Sequence, residues 1–341
     1  MRTADLEYHL PSDLIAQEPA RPRDSSRMLV IERGKGKIEH RAFRDLPSHL
    51  GSDDVVVFND TQVIRARLRG RRQPGGGKAD VLLLCEREAG VWEALVSPGR
   101  RIGPGREIIF GDGDLRAEVI GRTPAGGRLL RFSGPSDLTA ALARLGELPL
   151  PPYIHEPLRE DGDYQTAYAR APGASAAPTA GLHFTDEMMA AVRARVRGVA
   201  FVTLHISLGT FRPIRTENAE EHDMHPESYA ISDEAAELMS EAKAEGRRVV
   251  AVGTSTARAL EAATAENGAV TAGAGETDLF IHPGYRFRTV GALLTNFHMP
   301  RSTLLLLVYA FAERDLVLRA YQEAVEQRYR FLSFGDAMLI L

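Results

Sequence analysis

Cysteine occurs once in this chain, at Cys85 in the run VLLLCERE, which excludes an internal disulfide and argues against a thiolate metal site. Long apolar runs are missing as well. The longest aliphatic stretch, LLLLVYAFA from Leu304 to Ala312, falls well short of the about 20 residues that span a bilayer. The first residues, MRTADLEYHLPSD, hold no apolar signal-peptide core, so a cytoplasmic protein with no membrane partner is expected. Glycine-rich nucleotide loops are absent too. GKGK at Gly34 lacks the spacing of a phosphate loop, and GAGET at Gly273 has no preceding strand of the kind a dinucleotide fingerprint needs. No internal repeat, low-complexity segment or coiled-coil heptad appears.

At 341 residues the chain is long for one hydrophobic core, and roughly 150 residues per domain suggests two unequal ones. A hydrophobic fraction of 44% and a charged fraction of 26% are ordinary for a folded soluble protein. The net charge of −4 hides a segregation. Between Thr61 and Arg131 there are 14 Arg and Lys against 8 Asp and Glu, which makes that stretch +6 and the remainder −10. An anionic polymer such as RNA would favour the positive segment.

In chain order, LEYHLPSDLIAQEPARPRDSSRMLVIERGKGKIEHRAF reads as a short helix, a proline-rich connection and a hairpin turning at Gly34 to Gly36. Between them PRDSSR clusters Arg23, Asp24 and Arg27 before the strand MLVI. VVVFND is a buried strand, and TQVIRARLRGRR places Arg65, Arg67 and Arg69 on one side of a strand and Ile64, Ala66 and Leu68 on the other. Short runs then follow at regular spacing, divided by PGGG, EREAG, SPGRRIGPG, GDGD and TPAGG. That is the pattern of a small all-β barrel or sandwich, placed at residues 62–148. Arg100 and Arg101 on a second loop join Arg65, Arg67 and Arg69 as expected RNA contacts. A helix stopped by Gly146 leads out through a proline stretch. Strands and helices then alternate: helix Asp186 to Arg197, strand Val199 to Ile206, helix Ser232 to Gly246, strand Arg248 to Val252, helix Ser255 to Thr264 and the strand DLFI. The fold expected is a mixed α/β (α+β) core of residues 1–61 and 149–341, interrupted by an inserted barrel-like domain.

Polar residues gather where these runs end. PTAGLHFT and TLHISLGTFRP carry His183 and His205 with Thr179, Thr210 and Arg212. In RRVVAVGTSTARALEAA, Thr254 and Ser255 open a helix whose free N–H groups suit an anionic or hydroxyl-bearing ligand, with Arg258 one turn in. HDMHPE holds His222, His225 and Glu227, a set that raises a metal site, but Pro226 and the residue order point to a loop rather than a zinc helix. LLTNFHMPRST places Asn296 and His298 at a strand end, and Asp336 opens the last strand.

Taken together these stretches resemble one family over essentially the whole chain: the S-adenosylmethionine:tRNA ribosyltransferase-isomerases of queuosine biosynthesis. The resemblance is carried by LPSDLIAQEPARPRDSSRMLV, VFNDTQVIRARL, LPLPPYI, YQTAYA, PTAGLHFT, TLHISLGTFRPI, MHPE, GTSTARALE, FIHPGYRF, TNFHMPRSTLL and YRFLSFGDAML, in that order. Gln62 and Arg65 stand where Arg and Pro are commoner, and Ser255, Thr256 and Ala257 where Thr-Ser-Val is commoner. The resemblance implies transfer and isomerisation of the ribosyl group of S-adenosylmethionine onto 7-aminomethyl-7-deazaguanine at the wobble position of tRNA with a GUN anticodon. The products would be epoxyqueuosine-tRNA, adenine and methionine, with S-adenosylmethionine consumed and no metal. A monomer with no obligate protein partner is expected. Such chemistry needs a base and an acid. His183 and His205 lead as candidates, with His225, His298 and Asp336 behind them. Thr179, Thr210, Arg212, Thr254, Ser255, Arg258 and Asn296 are the expected S-adenosylmethionine contacts. Two rivals stay open: a His-dependent metallohydrolase and a non-catalytic tRNA-binding module.

Overall fold

The computed structural model describes residues 1–123, 126–134, 138–207 and 213–341. Strands β1 (Arg27–Glu32) and β2 (Lys37–Ala42) form the expected hairpin, with Gly36 left-handed at its turn. The apolar run VVVFN becomes β3 (Val55–Asn59), and β4 (Thr61–Val63) follows after one residue. Six longer strands come next: β5 (Arg67–Gln73), β6 (Lys78–Glu88), β7 (Val91–Ser97), β8 (Glu107–Phe110), β9 (Leu115–Arg122) and β10 (Arg128–Ser133). Helix α1 (Leu138–Leu145) and the two-residue strand β11 (Gly146–Glu147) end this part. The chain returns through β12 (Ala171–Ala174), α2 (Asp186–Arg195), β13 (Gly198–Leu204), β14 (Glu227–Ile231), α3 (Asp233–Ala244), β15 (Val249–Val252) and α4 (Thr254–Ala263). It finishes with β16 (Gly273–Thr277), β17 (Val290–Asn296), α5 (Thr303–Ala312), α6 (Arg314–Glu326) and β18 (Ala337–Ile340).

Nine strands form one sheet in the order β16-β14-β13-β3-β15-β17-β18-β1-β2. Its centre is parallel: β3 lies between β13 and β15, and β17 runs parallel beside β15. Strands covered on both faces read as continuous apolar runs, which is why VVVFN and VVAV are buried throughout. Alternation divides their side chains between two layers. Val55 and Val57 join the core under α3, α4, α5 and α6, whereas Val56 and Phe58 meet α2, Phe43 and Phe184 on the opposite face. Hydroxyl caps define helix starts: Thr185, Ser232 and Ser302 accept the N–H of Met188, Ala235 and Leu305, each at 3.2 Å.

The second sheet closes on itself. Its order is β11-β5-β6-β7-β10-β9-β8, and β5 also pairs with β8, so six antiparallel strands make a barrel. Leu68, Val81, Leu83, Ile108, Phe110 and Val119 fill the interior while Arg67 and Arg69 face out. The mixed α/β core with a barrel inserted after β4 thus matches the expected fold class.

Three local expectations change. The short helix expected in the first stretch is not an α-helix: single 3-10 turns at Thr3–Leu6 and Ser12–Leu14 flank Pro11, whose missing N–H stops propagation. TQVIRARLRGRR is two strands rather than one, because Thr61–Val63 pairs with β12 while Arg67 onward joins the barrel. DLFI is not a strand. The pairing edge of β14 is taken by Gly273–Thr277, and Leu279 is held in a loop by Thr277 Oγ1 at 3.1 Å.

Barrel closure depends on a glycine. Gly70 pairs with β6 on one side and β8 on the other, and a Cβ there would lie 2.7 Å from the Ile109 carbonyl oxygen and from the Phe110 ring. Gly70→Ala is therefore expected to lower stability by about 1–3 kcal/mol, whereas Gly34→Ala, which meets nothing within 4 Å, should not. Denaturation midpoints check this. A wild-type midpoint for Gly70→Ala would show that the seam tolerates a side chain.

Candidate active site

The parallel strands end together, and a cleft of about 720 Å3 opens at their carboxyl ends. This is where ligands sit in open α/β sheets. Thr179 enters it from a 3-10 turn, Thr254, Ser255 and Arg258 from α4, and Asn296 and His298 from the end of β17. The structure thus brings six of the residues named from the sequence to one place. Thr210 and Arg212 lie outside the described residues.

Local geometry explains the positions. Gly253 ends β15 with φ 96°, a left-handed conformation that suits glycine, and as N-cap of α4 it supplies no side-chain cap. The first turn of α4 therefore presents N–H groups at the cleft. Ser255 Oγ accepts from Asn59 Nδ2 at 3.1 Å. Arg258 is buried, with its guanidinium on the Glu227 carboxylate and its Nε donating to the Leu279 carbonyl at 3.1 Å. Glu227 also accepts the Ser207 N–H at 2.8 Å. Considered above only as a third metal ligand, Glu227 is instead a carboxylate lining the cleft. The signal available in the sequence was its place after MHP, at the start of a strand.

The histidines do not converge. His298 lines the cleft, its Nε2 lies 2.8 Å from Thr295 Oγ1, and its backbone N–H donates to Tyr321 Oη at 3.0 Å. Burial pushes its pKa down to about 3. His183, only 5% exposed, sits behind Asn296 with Nδ1 2.7 Å from Ser26 Oγ and Nε2 3.3 Å from Asn296 Nδ2. Its ring stacks on Phe43 at 4.8 Å. Burial first, then the charges of Arg330 and Arg23, hold it down at about 3. It borders a separate cavity of about 210 Å3 beside Arg23.

His205 lines a different cleft, of about 1380 Å3, between barrel and core. Its Nδ1 is 2.8 Å from Thr61 Oγ1, and its ring packs where a Cβ on Gly173 would sit 2.7 Å from Cε1. Burial lowers its pKa, opposed by the charge of Asp60. Cys85 shares this cleft, and burial pushes its thiol up to about 11, away from thiolate chemistry. His225 faces a third cleft with Arg87 and Arg122. Asp336 is buried and accepts the backbone N–H groups of Arg27 and Arg330, each at 2.8 Å, which ties β1 to the segment before β18.

The arginines of the barrel divide into two groups. Arg65, Arg67 and Arg69 face the carboxylates of Asp161, Asp80 and Glu147. Arg100 and Arg101 stand exposed in a turn with no carboxylate partner among the described residues. That turn is held from beneath by buried Arg128, which donates to the carbonyls of Ile102 and Gly99, both at 2.6 Å. Nothing in the sequence marked Arg128 among its many neighbours of the same type.

The two buried imidazoles set a pH dependence. Each has a folded pKa of about 3, against about 6.5 in an unfolded chain. The unfolded state binds more protons between those values, so the stability they contribute is complete above about pH 6.5 and is lost as pH falls towards about 3. His298→Gln should flatten the slope of stability against pH in that window, measured by urea unfolding across a pH series. An unaltered slope would mean that the ring titrates normally.

Comparison with known proteins places the chain in a family. Residues 3–340 match the family model described as queuosine biosynthesis protein. The S-adenosylmethionine:tRNA ribosyltransferase-isomerase of Moorella thermoacetica is 54% identical and that of Symbiobacterium thermophilum 53%, each over the full length of both chains. A crystal structure of S-adenosylmethionine tRNA ribosyltransferase from Thermotoga maritima is similar at 39% identity and a TM-score of 0.57, covering 99% of this chain and 100% of that one. Spanned end to end by the family model, this chain belongs to the queuosine biosynthesis protein family.

Proposed function

We propose that this chain is an S-adenosylmethionine:tRNA ribosyltransferase-isomerase. It transfers and isomerises the ribosyl group of S-adenosylmethionine onto 7-aminomethyl-7-deazaguanine at the wobble position of tRNA with a GUN anticodon, releasing adenine and methionine and leaving epoxyqueuosine in the tRNA. It acts as a cytoplasmic monomer without an obligate protein partner. The observation that carries this reading is the polar cleft at the ends of the parallel strands, in a chain related over its whole length to enzymes of that name.

S-adenosylmethionine occupies the cleft as a substrate. Its methionine carboxylate meets the uncapped first turn of α4 at Thr254 and Ser255, where N–H groups suit an anion. Arg258, expected as an S-adenosylmethionine contact, is already engaged by Glu227 and serves to hold Glu227 at the wall. The sulfonium acidifies the C5′ hydrogens. A base removes one, adenine leaves with a proton from an acid, the aminomethyl nitrogen attacks, and methionine is expelled. His298 is the imidazole that lines the cleft; burial keeps it neutral and lowers its basicity, so as a base it needs a partner that stabilises the imidazolium as it forms. Glu227 is the second acceptor in reach of the cleft. The tRNA lies against the barrel, with Arg100 and Arg101 on its phosphates and Arg65, Arg67 and Arg69 exchanging carboxylate partners for phosphate. Exposed ion pairs are worth at most about 1 kcal/mol, so the exchange is cheap.

Two measurements test this. Adenine and methionine should be released from S-adenosylmethionine only with tRNA bearing the aminomethyl-deazaguanine, with a matching mass gain on the tRNA; no release from folded protein and competent substrate would sink the activity. Replacing Arg100 and Arg101 by Ala should lower the slope of log affinity against log salt by about 0.7–0.9 for each phosphate that is no longer neutralised. An unchanged slope would move the RNA surface elsewhere.

A further inference from the structure

Asn296 ends β17 and is 2% exposed. Both hydrogens of its amide are committed: Nδ2 lies 3.1 Å from the Leu332 carbonyl oxygen and 3.3 Å from His183 Nε2. Turning the amide over would set its oxygen against the Leu332 oxygen, two acceptors face to face. The orientation is therefore fixed, and Oδ1 is left buried in the cleft wall with no partner among the described residues. Native proteins rarely leave a buried acceptor unmatched, and those that remain call for an explanation.

His183 enforces this arrangement. Because Asn296 donates to Nε2, the ring proton sits on Nδ1 and is donated to Ser26 Oγ at 2.7 Å. An imidazolium would turn Nε2–H against the amide hydrogens. Stacking on Phe43 holds the ring plane. Phe297, Met299 and Leu332 line the cleft together with Thr295, His298 and Ser333, a wall of apolar surface set with a few polar groups. A flat apolar body with one donating edge suits such a wall, which is the character of a nucleobase with an exocyclic amino group.

We propose that Asn296 Oδ1 is the acceptor for the exocyclic amino group of a nucleobase, and that His183 is the positioning residue that keeps the amide turned towards it. This deepens the function proposed above and rests on it. Two substrates of that reaction carry such a group: the adenine of S-adenosylmethionine and the deazaguanine of the tRNA.

Equilibrium binding separates the sources without requiring turnover. Full-length wild type, Asn296→Leu, His183→Leu, His183→Gln and the Asn296→Leu/His183→Leu double variant are titrated with S-adenosylmethionine, with its analogue lacking the adenine amino group, and with the modified tRNA. Loss of one hydrogen bond should weaken binding about tenfold. If adenine is the partner, Asn296→Leu weakens S-adenosylmethionine and no longer discriminates the analogue. If the deazaguanine is the partner, only tRNA binding weakens. Either result supports the subsite. His183→Leu should reproduce the Asn296→Leu effect, the double variant should be no worse, and His183→Gln, whose amide oxygen can accept from Nδ2, should restore part of the affinity. Wild-type affinity for both ligands in folded Asn296→Leu overturns the subsite alone. Additive losses in the double variant overturn the positioning role. Failure of wild type to bind either ligand overturns the proposed function and the subsite with it. Should Asn296→Leu not fold, Asn296→Asp keeps an acceptor but loses the donor. Retained binding with a raised His183 pKa by NMR supports the assignment, and an unmoved His183 pKa overturns it.

Discussion

The side chain of Asn59 holds the ends of the central strands in place. Wholly buried, it donates to the Leu204 carbonyl at 2.9 Å and to Ser255 Oγ at 3.1 Å, and accepts the N–H groups of Leu204 at 3.0 Å and Thr61 at 3.1 Å. One amide thus ties β3 to β13 and to the first turn of α4. Parallel strands buried on both faces leave their last backbone groups without water, so such groups need partners from side chains. The cleft exists because Asn59, Gly253 and Asn296 close those strands with polar or conformationally free residues where an apolar one would continue the core.

Burial shapes the chemistry of the cleft more than the number of its titratable groups. His183 and His298 are both pushed to the neutral form, and the Arg258 guanidinium in the wall is matched to the Glu227 carboxylate. The cleft thus presents oriented dipoles and a compensated ion pair rather than net charge. The barrel carries Arg100 and Arg101 in an exposed turn whose flanking carbonyls are held by the buried guanidinium of Arg128.

Much of the architecture was legible because it rests on local rules. Apolar runs too short for helices marked the buried strands, Ser232 and Ser302 marked helix starts, and glycine-rich turns at regular spacing marked the barrel. Where the edge of the sheet chose between competing segments, as between GAGET and DLFI, pairing with β14 decided, and pairing across some fifty residues leaves no local trace. The site was half legible. Thr179, Thr254, Ser255, Arg258, Asn296 and His298 share a cleft because residues closing neighbouring parallel strands must meet.

The sequence by itself determined the fold class, the inserted basic barrel, the family resemblance and the set of polar strand ends, since each depends on composition, periodicity or adjacent residues. Only the tertiary structure decided which face each end presents. His205 and Ile206 are neighbours in sequence, yet they face different clefts, because successive side chains leave opposite sides of the backbone. It also matched Arg258 to Glu227 and set His183 behind Asn296. Those pairings join residues 31 and 113 positions apart, and packing alone brings them within hydrogen-bonding reach.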